Sequence, residues 1–579
     1  MKKLFIYLKD YKRETVLAPL FKMLEASFEL LIPLVMATII DIGIIRGEKG
    51  YILRMGLIIT GLGVVGLICS ITAQYYSAKA AVGFSATLKR DLFRHIQKLS
   101  FTEMDEIGTS TLITRMTSDV NQVQSGVNLV LRLFLRSPFI VFGAMVMAFT
   151  IDRKAASIFA VTILLLCIVV FGIMLISMPL YKKVQARLDK ILSITRENLT
   201  GIRVIRAFNK EEGEIKRFEA ENDTLFGIQR FVGRISALMN PITYIVVNGA
   251  VIILIWTGAL QVEAGRLTQG EVVALVNYMS QILVELIKLA NLIVTVTKSF
   301  ASANRIAVIF DTESSQHFPE KGTKERGIEE NGGIAVSFEH VCLTYKNAGA
   351  EALSDINFKV RKGQTVGIIG GTGSGKTSLV HLIPRFYDAT SGSIKVNGVD
   401  VKEYSREELR SKVGMVMQKS ILFKGTIREN MKWGKADASE GEINQALAIA
   451  QAKEFVEAKK DGIDQIVSQE GKNFSGGQKQ RLSIARALVR KPEILILDDS
   501  ASALDFATDA RLRKEIREME DTITVFIVSQ RAASIRHADF IIVLEDGEVA
   551  GMGTHDALLK DCKVYREIYD SQFTKEGGA

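Results

Sequence analysis

The chain has 579 residues, 48% of them hydrophobic and 24% charged, with a net charge of +9, a pI near 9.1 and a mean hydropathy of +0.19. That length allows several domains, and so apolar a balance beside so much charge excludes a uniformly soluble composition: long apolar stretches must sit next to a soluble part. Cys69, Cys167, Cys342 and Cys562 are too scattered for a metal knuckle or a disulfide framework, and no basic block is interleaved with aromatics, so the positive charge does not point to nucleic acid.

In chain order, the N-terminal stretch MKKLFIYLKDYKRETV has a short apolar patch broken by Lys9, Asp10, Lys12 and Arg13. It lacks a signal-peptide core and reads as a short amphipathic helix on the cytoplasmic membrane surface. Six windows follow that are apolar over the roughly 20 residues a helix needs to cross a bilayer. They lie near residues 17–40, 52–78, 126–150, 156–179, 239–261 and 271–296. The fourth carries no charge, whereas Lys22, Glu25 and Glu29 interrupt the first. Connections near 42–51, 151–155 and 262–270 are short. Those near 79–125 and 180–238 are long, helical in pattern and rich in Lys and Arg, which marks the cytoplasmic side. Structureless loops of that length are uncommon, so the helices are expected to run on into the cytosol. Residues 311–333 are polar and Gly-rich and read as a linker. From Ile334 short apolar strands alternate with helical segments, the pattern of an α/β domain with a largely parallel sheet. The expected fold is therefore a membrane all-α domain of six transmembrane helices with long cytoplasmic extensions (1–310), fused to an α/β P-loop nucleotide-binding domain (334–579).

The stretch GGTGSGKTSLV, starting at Gly370, fits the GxxxxGK[ST] phosphate loop, with a strand before it and a helix after it. Gly370, Thr372, Gly373, Ser374 and Gly375 let backbone N–H groups curl round phosphates. Lys376 reaches the β- and γ-phosphates, Thr377 ligates Mg²⁺, and Ser378 continues the helix whose first turn favours an anion. ATP and Mg²⁺ are the expected cofactors. Further on, ILILDD is an apolar strand ending in Asp498 and Asp499.

FSGGQ at 474–478, about twenty residues before that strand, resembles the signature of the ATP-binding cassette (ABC) family. The resemblance covers 334–570 and implies roles for individual residues. Ser475, Gly476, Gly477 and Gln478 would bind the γ-phosphate of ATP held by an opposing domain. Tyr345 would stack on adenine, Gln418 would sense Mg²⁺, Asp498 would ligate it, and Asp505 would communicate across a dimer. The first half is similar to the family's exporters. GTSTLITRMTSDVNQVQ (108–124) and ENLTGIRVIRAFNKEE (197–212) resemble their two cytoplasmic loops, each with a short coupling helix. Six spans ahead of one cassette imply a half-transporter that needs a second chain, in the cytoplasmic membrane of a bacterium, among membrane lipids, with a hydrophobic or amphipathic small molecule as cargo and no nucleic-acid partner.

Three positions depart from the family pattern. Asp499 stands where the general base is normally Glu; the side chain is one methylene shorter, which withdraws the carboxylate by up to roughly 1.5 Å. Gln530 stands where a switch histidine is usual, and an amide cannot become cationic or shuttle a proton. Gln469 replaces a Glu common before the signature. Nucleotide binding is thus retained and hydrolysis impaired, as expected of the degenerate-site subunit of a heterodimeric exporter of amphipathic drugs or lipids. A dedicated lipid or peptide exporter and an ATP-gated regulatory subunit are the rival readings. Glu25 and Glu29 share a helix face, as do Arg132 and Arg136, and Glu285 can pair with Lys288. If both glutamates face a cavity, lipophilic cations are the favoured cargo.

Overall fold

The structure, a computed structural model, describes residues 4–319, 333–346, 348–500, 504–519 and 523–573. Much of the expected linker (320–332) and Ala501–Ala503 lie outside the described residues. The chain divides into two compact units, Met1–Gln97 with Ser110–Thr312, and Lys98–Thr109 with Glu313–Ala579.

The first unit is all helix. Among the described residues, six helices are long and apolar enough to cross a membrane: α1 (Ile6–Ile44), α2 (Lys49–Ile96), then, after the short α3 (Phe101–Ile107) of the other unit, α4 (Thr109–Ile151) and α5 (Arg153–Thr200), and, after the short α6 (Ile202–Ala207), α7 (Glu211–Glu263) and α8 (Gln269–Asp311). At 48 residues α5 runs about 72 Å, more than twice a hydrocarbon core of about 30 Å. The long extensions expected from the basic connections are present. Local chemistry sets the ends: Asp152 caps α5 by accepting from the Ala155 N–H at 2.8 Å, and Thr268 and Glu271 form a capping box on α8. Inside the bundle Phe159, Leu166, Tyr278 and Met279 pack among small residues such as Ala26, Ala144, Ala148 and Ala274. Small side chains allow this close helix approach where lipid supplies no hydrophobic drive. Large apolar side chains including Leu57, Ile168 and Trp256 face outward. The N-terminal patch, Leu4–Tyr11, is 3₁₀-helical and forms the first turns of α1. Tyr7 lies against Phe84 and Phe310, so this stretch packs on protein.

The first short cytoplasmic helix falls just ahead of 108–124. It is α3, opened by a Ser100/Glu103 capping box and closed at Gly108 with φ +79°, while 109–124 already belongs to α4. The second, α6, lies inside 197–212.

The second unit is mixed α/β. An antiparallel sheet of β1 (Ile334–Leu343), β2 (Leu353–Arg361), β4 (Ser391–Val396) and β5 (Val399–Asp400) has the order β2-β1-β4-β5. The main sheet contains β3 (Thr365–Gly370), β6 (Val413–Val416), β7 (Ile494–Asp498), β8 (Thr524–Val528), β9 (Phe540–Glu545) and β10 (Glu548–Gly553), in the order β10-β9-β3-β8-β7-β6. It is parallel except for the β9–β10 hairpin. Val528 is level with Ile368 of β3 and with Asp498 of β7. The loops after β3, β7 and β8 therefore leave one edge together, at the carboxyl ends of parallel strands where open α/β sheets bind ligands.

Candidate nucleotide site

A cavity of about 360 Å³ opens at that edge, lined by Tyr345, Thr372, Gly373, Gly375, Lys376, Thr377, Ser378, Gln418, Asp498, Asp499 and Gln530, with Ala352, Val528 and Ser529. Tertiary structure gathers residues from across nearly two hundred positions into one cleft. Gly370 ends β3 beneath it, and Ser374 is buried in the turn. The turn needs glycine at Gly375, where φ is +89° and a Cβ would meet the Ala352 carbonyl at 2.7 Å. Lys376 opens α9 (Lys376–Leu382). Its Nζ donates to the carbonyls of Gly370 (3.0 Å) and Gly371 (2.6 Å). Burial lowers its pKa, opposed by Asp499 and Asp498. The ammonium is thus parked on the loop, where phosphate oxygens would compete for it.

The Thr377 hydroxyl donates to Asp498 Oδ1 at 3.0 Å, and Gln418 Nε2 to Asp499 Oδ2 at 3.4 Å. Hydroxyl, carboxylate and amide oxygens are the hard donors Mg²⁺ prefers. Among the described residues no group of three or more His, Cys, Asp or Glu could hold a metal, so Mg²⁺ here would draw ligands from phosphate and water. Burial raises the Asp498 pKa, and neighbouring Asp499 raises it further. Burial also raises that of Asp499, whose φ is +44° and whose N–H donates to the Val528 carbonyl at 3.0 Å. Gln530 is exposed. Its backbone carbonyl accepts from Gln572 Nε2 (2.8 Å), and Gln572 Oε1 accepts from the Ala532 N–H (2.8 Å), so a C-terminal side chain brackets this loop.

The cleft does not include the SGGQ residues or Asp505. Ser475 caps α10 (Gly476–Leu488), with Gln478 completing the capping box, and Ser475 and Gly476 are exposed. Asp505 caps α11 (Phe506–Arg517), accepting from the Thr508 N–H at 2.8 Å.

This chain is 36% identical over 577 residues to the uncharacterized ABC transporter ATP-binding protein YfiB of Bacillus subtilis, a match covering 100% of this chain and 99% of the relative. The family described as ABC transporter transmembrane region matches residues 15–286, and that described as ABC transporter matches 353–502. This chain belongs to the ABC transporter family. The probable multidrug resistance ABC transporter YheI of Bacillus subtilis is 34% identical to this transporter over 85% of the chain and 84% of the relative. A bacterial Atm1-family ABC exporter solved with ATP bound shares the fold, with a TM-score of 0.79 over 98% of this chain and 99% of that one, at 23% identity. The transporter is a multi-pass membrane protein with a cytoplasmic nucleotide-binding domain, an exporter of the ATP-driven kind.

Sequence reasoning missed two cleft neighbours in this transporter. His381 stacks on Tyr387 and lies 3.9 Å from Asp498, and burial keeps its pKa low. Tyr387 donates to Asp105 Oδ2 at 2.5 Å and meets Tyr345 edge-on at 5.1 Å. Tyr345 in turn donates to Ser378 at 2.9 Å. Phe101 packs on Phe386, and Lys346 pairs with Glu106. The one local signal was the Ser100-x-x-Glu103 capping box that starts α3.

Proposed function

We propose that this chain is one half of a heterodimeric exporter of amphipathic drugs or lipids and that its own cleft holds ATP without hydrolysing it well. The observation that carries this reading is that Asp499 and Gln530 line the same cavity as Lys376 and Thr377. Lys376 and the backbone N–H groups of the loop bind the phosphates, Tyr345 holds the base, and Thr377 and Asp498, with Gln418 beside them, would hold Mg²⁺. A cation held there would supply neutralisation of phosphate charge. Asp499 is left to orient and deprotonate the attacking water with a carboxylate withdrawn by one methylene, and a misplacement near 1 Å costs about 10²-fold. Gln530 donates one amide hydrogen bond to the γ-phosphate but carries no mobile proton.

The exposed Ser475 and Gly476 support a second role, closing the cleft of the opposing chain. A partner is also supported by the second cytoplasmic loop. Val204 and Phe208 flank or lie in α6 at 61% and 71% exposure, whereas Phe101 of the first loop lies against Phe386. The test is ATP turnover by the purified chain alone and together with its co-expressed partner. Negligible turnover alone and substantial turnover by the pair are expected; robust turnover by this chain alone overturns the degenerate site.

A further inference from the structure

The ionisable residues of the spans are paired in a way that points to a class of cargo. Glu25 is held by Lys22 at 2.5 Å. Arg136 of α4 bridges two other helices, reaching Glu285 of α8 at 2.5 Å and Glu29 of α1 at 2.7 Å. Glu285 also accepts from Lys288 (2.7 Å) and from the Ser137 hydroxyl (2.8 Å), so its carboxylate is saturated and buried. Two cations and two carboxylates make this quartet neutral. Two adjacent carboxylates free to attract a cation, the sequence-based expectation for Glu25 and Glu29, are therefore not what the unit presents.

The quartet has two open ends. The side chains of Glu29 and Lys288 are 38% and 41% exposed, and both line one cavity of about 400 Å³ between α1 and α8. Among the described residues Glu29 bonds through one oxygen, to Arg136. Gln281, on the same wall, has a buried Oε1 with no hydrogen-bond partner among the described residues. Beyond this polar end the wall turns apolar at Ile32, Pro33 and Met36, over about 10 Å of helix. The cavity thus offers an anion with a spare acceptor, a cation with spare donors, and an apolar continuation.

We propose that this cavity receives the headgroup of a zwitterionic amphiphile: an ammonium bound by Glu29 and Gln281, a phosphate or carboxylate bound by Lys288, and an apolar chain running along Ile32, Pro33 and Met36. A ligand with net charge would add an uncompensated charge to a neutral site, whereas a zwitterion supplies both partners. Membrane aminophospholipids and zwitterionic drugs share this chemistry. The inference rests on the exporter reading, whose cargo it narrows.

The test is native mass spectrometry of the full-length chain, with its partner where the two co-purify, in non-ionic detergent. Phosphatidylethanolamine, phosphatidylglycerol and tetraphenylphosphonium are offered together. Phosphatidylethanolamine should be retained over each of the others by roughly tenfold, about 1.4 kcal/mol. Glu29→Gln should shift the preference towards phosphatidylglycerol, and Lys288→Met towards tetraphenylphosphonium. A merely structural defect would not move the two variants in opposite directions. Displacement of the lipid by a zwitterionic fluoroquinolone assigns the site to both sources, and resistance to it assigns the site to lipid. Equal retention of all three ligands, or preferential tetraphenylphosphonium binding lost in Glu29→Gln alone, overturns the proposal. Because binding is read without turnover, headgroup selectivity in a chain that drives no flux would sink the exporter reading alone, and flux without selectivity would sink this inference alone.

Discussion

At the scale of the residue, holding a nucleotide and cleaving it call on different side chains of the cleft. Lys376 is held on the loop by two carbonyls, and Thr377 is tied to Asp498 by one hydroxyl–carboxylate bond. Asp499 and Gln530 share their cavity; in the function proposed above, the first is a base withdrawn by one methylene and the second carries no mobile proton. If these two positions set the rate, Asp499→Glu with Gln530→His should raise phosphate release from this cleft on the order of 10²-fold, measured in a pair whose other cleft has been silenced. Each single change should do less than half of this on a logarithmic scale, because groups acting as a unit are not additive. An unchanged rate in the double variant would put the bottleneck elsewhere. The phosphate loop was legible because its chemistry depends on spacing within eight residues. His381 and Tyr387 were not, because their neighbours Asp498, Tyr345 and Asp105 are distant in sequence.

At the scale of the element, α3 belongs with the nucleotide-binding unit although its flanking helices α2 and α4 belong to the other. Gly108 lets the chain turn between α3 and α4, and Phe101, Asp105 and Glu106 each meet a residue of the cassette. Asp105, Tyr387, Tyr345 and Ser378 form a continuous path from this helix to the phosphate loop. Tyr387→Phe keeps the rings and deletes one charge-assisted hydrogen bond of about 1.5–3 kcal/mol. The expected outcome is ATP affinity within about twofold of the parent, with cargo-stimulated turnover in the pair reduced several-fold. Equal loss of basal and stimulated turnover would mean the bond is only structural. The six spans could be read from apolar length alone, but the position of α3 could not, since 108–124 carries the resemblance and the helix lies before it.

At the scale of the whole molecule, the membrane unit is closed by its first and last spans. Asp41 of α1 accepts from the Gly270 N–H at 2.8 Å and from the Thr268 hydroxyl at 2.6 Å, tying the start of α8 to the end of α1. A Cβ at Gly270 would lie 2.2 Å from the Ala37 carbonyl and 2.6 Å from Asp41 Oδ2, and backbone cannot yield as a flexible side chain does. Gly270→Ala should therefore destabilise the unit by about 1–3 kcal/mol, seen as a lower unfolding midpoint in detergent. Gly61→Ala, in α2 with nothing within 4 Å of its Cβ, should raise the midpoint or leave it unchanged. Equal effects at both positions would rule out the close approach as the cause.

Sequence alone determined what depends on near neighbours and composition: six apolar helices, the strand–loop–helix that cradles phosphate, and the apolar strand ending in Asp498 and Asp499. Tertiary structure decided what depends on distant partners: that the loops after β3, β7 and β8 leave the sheet at one edge, that α3 packs with the cassette, and that the charges of α1, α4 and α8 cancel around Arg136. A charge in a span reads the same in sequence whether it is free or paired, because pairing is set by the packing of helices more than a hundred residues apart.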